Sequence, residues 1–175
     1  MTGQSAKAWP VLVLASHGSG TAAKRAARQA HCSTLAAALR RVSNSAQLAL
    51  LINVPIENVL GLAAHESQYG QGRIAKEDNN YFSMHAPAPL QIGDDSAKGN
   101  PHVRVAKYAS FLSSGQSFIT RYGNAVRGKS DPMEFAQALV RANFNTGDPK
   151  SGGAANYAKK VADAIHMVKL RLECK

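Results

Sequence analysis

The stretch PIENVLGLAAHESQYGQG, residues 55–72, leaves its backbone little choice. Pro55 has the fixed φ and missing N–H that suit the first turn of a helix, and Gly70 and Gly72 allow the chain to leave it. Between them Val59, Leu62, Ala63 and Glu66 recur at spacings of three and four and so share one helical face. A carboxyl group therefore falls on an apolar stripe, in the last turn of a helix. Carboxylates are rarely placed there unless they are paired or functional. Burial raises such a pKa, and the negative end of the helix dipole disfavours the anion further. Both effects suit a general acid that keeps its proton near neutral pH. The plain alternative is a Glu66 that reaches solvent or pairs with Arg73.

With 175 residues, 45% of them apolar, the chain can build one domain with a real core, and we expect a single domain over 1–175. The pattern predicts a mainly α fold. A basic helical region covers 1–44, with Thr21 capping a helix over 22–41. After a break at SNS, 43–45, a short apolar helix follows over 46–52. Later helices are expected over 55–67, 106–121, 132–142 and 154–172. Asp131-Pro132 starts the third of these, and the last carries Tyr157, Val161, Ala164, Ile165 and Val168 at helical spacing. The middle, 71–105, is irregular apart from a small hairpin, QIG at 91–93 and HVRVA at 102–106 around the DDSAKGNP loop.

Charge is uneven. The net charge is +10, and Lys7, Lys24, Arg25, Arg28, Arg40 and Arg41 all precede the first acidic residue, Glu57. Such a chain favours polyanionic partners: nucleic acid, anionic membrane or an anionic wall polymer. The basic third contains one aromatic residue, Trp9, and no zinc-finger or RNA-binding motif, so nucleic acid is not expected. No apolar run is long enough to predict a transmembrane helix or integral membrane association. VLVLA, 11–15, is too short for a signal peptide, so export is expected by another route. Cys32 and Cys174 have no metal-ligand spacing; free, partly buried thiols are expected rather than a disulfide joining the ends.

Other residues invite chemistry less strongly. Asn79, Asn80 and Tyr81 could bond and stack on a sugar, or simply bond their own loop backbone. His65-Glu66 begins like HExxH, but Tyr69 stands where the second histidine belongs, and His85 and His102 have no ligand spacing. We expect neither metal nor cofactor. HGSG at 17–20 is not a nucleophile elbow, and His17 and His31 read as surface residues.

Three passages carry a family likeness. LAAHESQYGQGRIAKEDNNYFSM, 62–84, resembles the peptidoglycan glucosaminidases, which include flagellar-rod hydrolases and autolysins. Their pattern runs roughly A-x-x-E-S-x-W-G and then N-x-F-G-I-K. Glu66, Ser67 and Gly70 match the first element with Tyr69 in place of Trp, and Asn80 and Phe82 match the second, where Ser83, Met84 and His85 replace Gly-Ile-Lys. VRVAKYASF, 103–111, is similar to the family's F-R-x-Y-x-S passage. The final passage, FAQALVRANFNTGDPKSGGAANYAKKVADAI, is similar to its ending: Phe144 takes a tyrosine's place, and Asn156, Tyr157, Ala158 and Lys160 match N-Y-A-x-K. The likeness spans about 45–170.

The resemblance implies a lysozyme-like α-lobe with a small, shortened β-hairpin region. It implies hydrolysis of the β-1,4 bond between N-acetylglucosamine and N-acetylmuramic acid in peptidoglycan strands. Glu66 would protonate the glycosidic oxygen, and Tyr157 would orient a water or the N-acetyl group. Tyr69, Asn80, Tyr81, Phe82 and Phe144 would contact substrate. Many relatives have a second glutamate in the β-lobe; residues 86–107 contain none, so Asp94, Asp95 or the substrate's own N-acetyl group would take that part. Two other readings stand beside this one: a lytic transglycosylase, which needs one Glu and leaves a 1,6-anhydro end, and a non-enzymatic wall-binding module. A compact domain without a signal would suit a larger exported protein, or an antibacterial effector delivered to the periplasm or cell wall by a secretion machine, with an immunity protein as partner.

Overall fold

The computed structural model describes residues 42–97, 100–151 and 153–173. The predicted helix over 22–41, the motifs at 11–20, and both cysteines lie outside them. The first helix, α1, is described from Val42 to Ile52 and runs straight through Ser43, Asn44 and Ser45. The expected break at SNS is therefore absent. Short polar side chains lower helix propensity by only a few tenths of a kcal/mol each, about what one buried apolar neighbour outweighs. Here Leu48, Ala49 and Ile52 bury one face of α1, and that packing decides.

After a bend of 116° at Asn53–Pro55 comes α2, Ile56–Glu66, with Pro55 at the N-cap position. Short α3, Arg73–Glu77, leads to a two-stranded antiparallel sheet, β1 Gly93–Ala97 and β2 Asn100–Lys107. Then follow α4 Phe111–Val126, α5 Pro132–Arg141 and α6 Tyr157–Glu173. Helix thus dominates, as the sequence predicts. No single helix among the described residues is long and apolar enough to cross a membrane.

Helix α2 is the centre of the α-lobe. Val59, Leu62 and Ala63 are buried in one core with Phe82, Phe118, Phe135, Leu139, Val161 and Ile165. Its most extensive partner is α6, and the two backbones meet at Gly61: a Cβ there would lie 2.5 Å from Ile165 Cα. Asn58 ties the start of α2 to the turn before α5, donating to the carbonyls of Lys129 at 3.0 Å and Ser130 at 3.3 Å.

The hairpin differs from the expected one. Asp94, Asp95 and Ser96 belong to β1 and not to the loop, and β2 starts at Asn100. Polar pairing explains it. Arg104 bonds Asp94 across the pair and reaches Ser96 Oγ at 2.8 Å. Arg73 on α3 meets Asp95 at 3.0 Å and donates to the Ser96 carbonyl at 2.6 Å. Lys107 lies between Asp95 and the buried Asp78, 3.3 Å from the latter. Because α3 and β2 both supply cations to one acidic cluster, the hairpin is clamped to the α-lobe at its root. Helix α4 starts later than the predicted 106, since 106–107 are strand and Ser110 caps the helix through Ser113 N at 3.1 Å.

Candidate active site

The site is built where α2 stops. Ser67 Oγ bonds back to the Ala63 carbonyl at 2.5 Å and accepts from Gly70 N at 2.8 Å, closing the helix end upon itself. Gln68 and Tyr69 both have left-handed backbones, φ 51° and 55°, and Gly70 follows at 76°. Such conformations cost side-chain-bearing residues free energy; here Tyr69 N bonds the Ala64 carbonyl at 2.7 Å and Gly72 N the Ser67 carbonyl at 2.9 Å. The chain leaves sharply, and Glu66 is left at the helix end facing the start of α6.

Tyr157, the first residue of α6, donates its phenol O–H to Glu66 Oε1 at 2.7 Å. Burial is the larger influence on Glu66 and raises its pKa; the hydrogen bond from Tyr157 works the other way without cancelling it. Burial, and then the neighbouring Glu66, push the Tyr157 phenol far above its ordinary value, so it stays a neutral donor. With Oε1 held by Tyr157, the proton of the acid form belongs on Oε2. Ser83 Oγ donates to the Glu66 backbone carbonyl at 3.1 Å, fixing the loop beneath. Glu66 keeps a partly exposed edge, whereas Tyr157 is buried. Glu66 does not pair with Arg73, which is engaged by Glu77, Asp78 and Asp95.

The remaining candidates divide into two groups. Phe144 is beside the pair, 6.3 Å from the Tyr157 ring and edge-on to Tyr122 at 4.9 Å. Asn80, Tyr81 and Phe82 lie beneath the site and not on its surface, exposed by 2% or less. The Asn80 amide donates to the carbonyls of Met84 at 2.8 Å and Ala106 at 2.9 Å and accepts from Met84 N at 2.9 Å. It stitches its loop to β2, as a loop-bonding Asn would. Tyr81 and Phe82 pack on Phe111 and Phe118. Tyr69 sits on the opposite flank of α2, with Leu60, Ala64 and Val168, beneath Arg171. Asp94 is held by Arg104, and Asp95 by Arg73 and Lys107; the Ser96 amide first, then Arg73 and Lys107, keep Asp95 below the ordinary carboxylate pKa.

Sequence reasoning missed Ser83, Tyr122 and His65. Tyr122 was findable: it follows Phe118 by one turn on the buried stripe of α4. His65 meets the Tyr157 ring edge-on at 5.5 Å, and burial and then Lys160 lower its pKa. No group of His, Cys, Asp or Glu among the described residues could hold a metal ion.

The fold can be compared with solved structures. A protein in a type VI secretion system effector-immunity complex from Pseudomonas protegens is 51% identical, with a TM-score of 0.69 over 77% of this chain and 90% of that one. A peptidoglycan hydrolase from Sphingomonas sp. A1 is 25% identical, with a TM-score of 0.60 over 74% of this chain and 87% of that one. The glycoside hydrolase domain of Salmonella typhimurium FlgJ shares the fold at 23% identity, with a TM-score of 0.56 over 77% of this chain and 87% of the domain. Among curated proteins no match was found. The profile of the Glucosaminidase family, described as mannosyl-glycoprotein endo-beta-N-acetylglucosaminidase, matches residues 43–170, and the chain belongs to that family.

Proposed function

We propose that this protein hydrolyses peptidoglycan at the β-1,4 bond between N-acetylglucosamine and N-acetylmuramic acid, with Glu66 as general acid. The observation that carries the reading is the Tyr157–Glu66 hydrogen bond at the helix end, around a carboxyl whose pKa burial raises. Family membership and the likeness to a peptidoglycan hydrolase support the substrate. In the reaction Glu66 Oε2–H gives its proton to the glycosidic oxygen as the C1–O bond breaks. Positive charge then develops at C1 and must be met from the opposite face of the sugar.

Neither Asp94 nor Asp95 is free of cationic partners. We therefore assign that second part to the substrate: the N-acetyl carbonyl oxygen attacks C1, and water later opens the cyclic intermediate and restores the proton to Glu66. On this assignment Asp94→Asn and Asp95→Asn each keep turnover within about threefold of wild type, far from the loss of 10²-fold or more that removing a general base brings. Steady-state digestion of purified strands reads this directly. Tyr157→Phe should lower kcat about tenfold to a hundredfold, because it removes the donor that places the Glu66 proton on Oε2. Its KM should stay near wild type.

With Glu66 as the one protein carboxyl assigned to the reaction, a lytic transglycosylase is the competing reading. Analysis of the new ends separates the two. Hydrolysis leaves a reducing N-acetylglucosamine; a 1,6-anhydro-muramic end would overturn our reading, and binding without cleavage would make this a wall-binding module. The likeness to a protein of an effector-immunity complex supports a further part of the proposal. The protein acts as an antibacterial effector, delivered to the periplasm or cell wall and neutralised in the producing cell by an immunity protein.

A further inference from the structure

A groove of about 350 Å³ opens between the end of α2 and the outer face of α6, lined by His65, Gln68, Tyr69, Lys160, Asp163 and Met167 among others. It starts one ring away from the acid, since His65 touches Tyr157 and Tyr157 bonds Glu66. We propose that this groove binds the carboxylates of the peptide stems that peptidoglycan strands carry. The inference rests on the peptidoglycan reading above.

The chemistry of the walls selects an anion. Asp163, the acidic wall residue, is held by Lys159 at 2.7 Å. Lys160 is exposed and has no acidic partner among the described residues. Arg171 adds a second cation 5.3 Å over the Tyr69 ring. Burial and then Lys160 lower the His65 pKa, which favours a neutral imidazole with one N–H to donate, and Gln68, with its left-handed backbone, is exposed on the rim. An ammonium, an imidazole N–H and an amide together suit a carboxylate. The groove suits a bare sugar poorly, because Arg171 already covers a face of Tyr69, its one phenol ring. In the substrate the ring hydroxyls and N-acetyl groups are neutral, and the carboxylates belong to stems on every second sugar. An extended stem advances about 3.3 Å per residue, so a stem leaving a sugar at Glu66 passes the His65–Tyr157 ring contact of 5.5 Å within a few residues and enters the groove.

Binding to an inactive protein tests this without relying on turnover. The Glu66→Gln protein is titrated with soluble strands that bear stems and with strands stripped of them by an amidase, which leaves a lactyl carboxylate on the sugar itself and removes those carried out along the stem. Stem-bearing strands should bind about five to ten times more tightly, the range expected for one partly exposed charge-assisted contact. Adding Lys160→Glu should erase that difference and leave affinity for stripped strands within twofold, while the same charge reversal at Lys76, exposed on α3 outside the groove, should preserve most of it. Equal weakening on both strands, or the same result from Lys76→Glu and Lys160→Glu, would reduce the effect to general surface charge and overturn the proposal. Circular dichroism confirms that each variant is folded. The two failures are separable: wild type that leaves both strands uncut but prefers stems refutes hydrolysis, and wild type that cuts both without preference refutes the groove.

Discussion

On the proposed mechanism Glu66→Gln should lower strand cleavage roughly a thousandfold, the scale of a lost general acid. The amide still accepts the Tyr157 hydrogen bond made at 2.7 Å, so the site keeps its shape while losing the proton it must deliver. Release of reducing ends from purified peptidoglycan measures the effect. In living cells the same change should abolish lysis when the protein is directed to the periplasm. A variant that stays fully active would remove Glu66 from the mechanism. Stability should move the opposite way. Burial raises the Glu66 pKa above the ordinary 4.5, so between 4.5 and the raised value the folded protein binds more protons than the unfolded chain. The contribution of Glu66 to stability is present at low pH and is lost as pH rises through the folded pKa. Glutamine cannot ionise, so Glu66→Gln should match wild type in Tm near pH 4 and exceed it increasingly as the pH climbs. A Tm gap that shrinks with rising pH would contradict a raised pKa.

The second large effect lies away from the chemistry, at Gly61. A methyl group there meets Ile165 Cα at 2.5 Å and Ile165 N at 2.8 Å, so the obstacle is largely the backbone of α6, which no rotamer change can clear. Gly61→Ala must push α6 away from α2, at about 3 kcal/mol of overpacking and lost contact, a large share of a domain's stability. Urea unfolding reads the loss as a lower midpoint with little change in slope. Tyr157 heads the displaced helix, so turnover per folded molecule should fall as well. Gly61→Val should fail to accumulate as folded protein. A Gly61→Ala variant of wild-type stability would mean that the two helices separate freely.

Much of this was readable in advance where local pattern and final packing agree. The apolar face of α2, the Asp131-Pro132 start of α5 and the Tyr157–Val168 stripe of α6 all follow from helical periodicity. Legibility failed where distant charges or packing decide. Asp94 and Asp95 look like loop residues until Arg104 and Arg73 draw them into a strand. Ser43–Ser45 look like a break until Leu48 and Ile52 find a core. For Asn80, Tyr81 and Phe82 the residue types suggested a sugar-binding surface, yet aromatic rings and amides serve a core and a loop equally well. Only burial separates those uses, and burial is set by α4 and β2. The groove beside His65 was only partly legible: Tyr69 and Lys160 stand in the family-like passages, but His65 and Lys160 are brought together only by the docking of α6 on α2.

The hydrogen bond from Tyr157 to Glu66 joins groups 91 residues apart. The turn at Gln68–Gly70, Ser83, and the rings of Phe118 and Tyr122 all precede Tyr157 in the chain. During synthesis the acid therefore stays incomplete until nearly the whole domain has emerged and its last helix has docked. A chain cut anywhere before residue 157 would hold its carboxyl group without the phenol that aims it. The order of the sequence thus acts as a timer, keeping the phenol and the carboxyl group apart until α6 has been made.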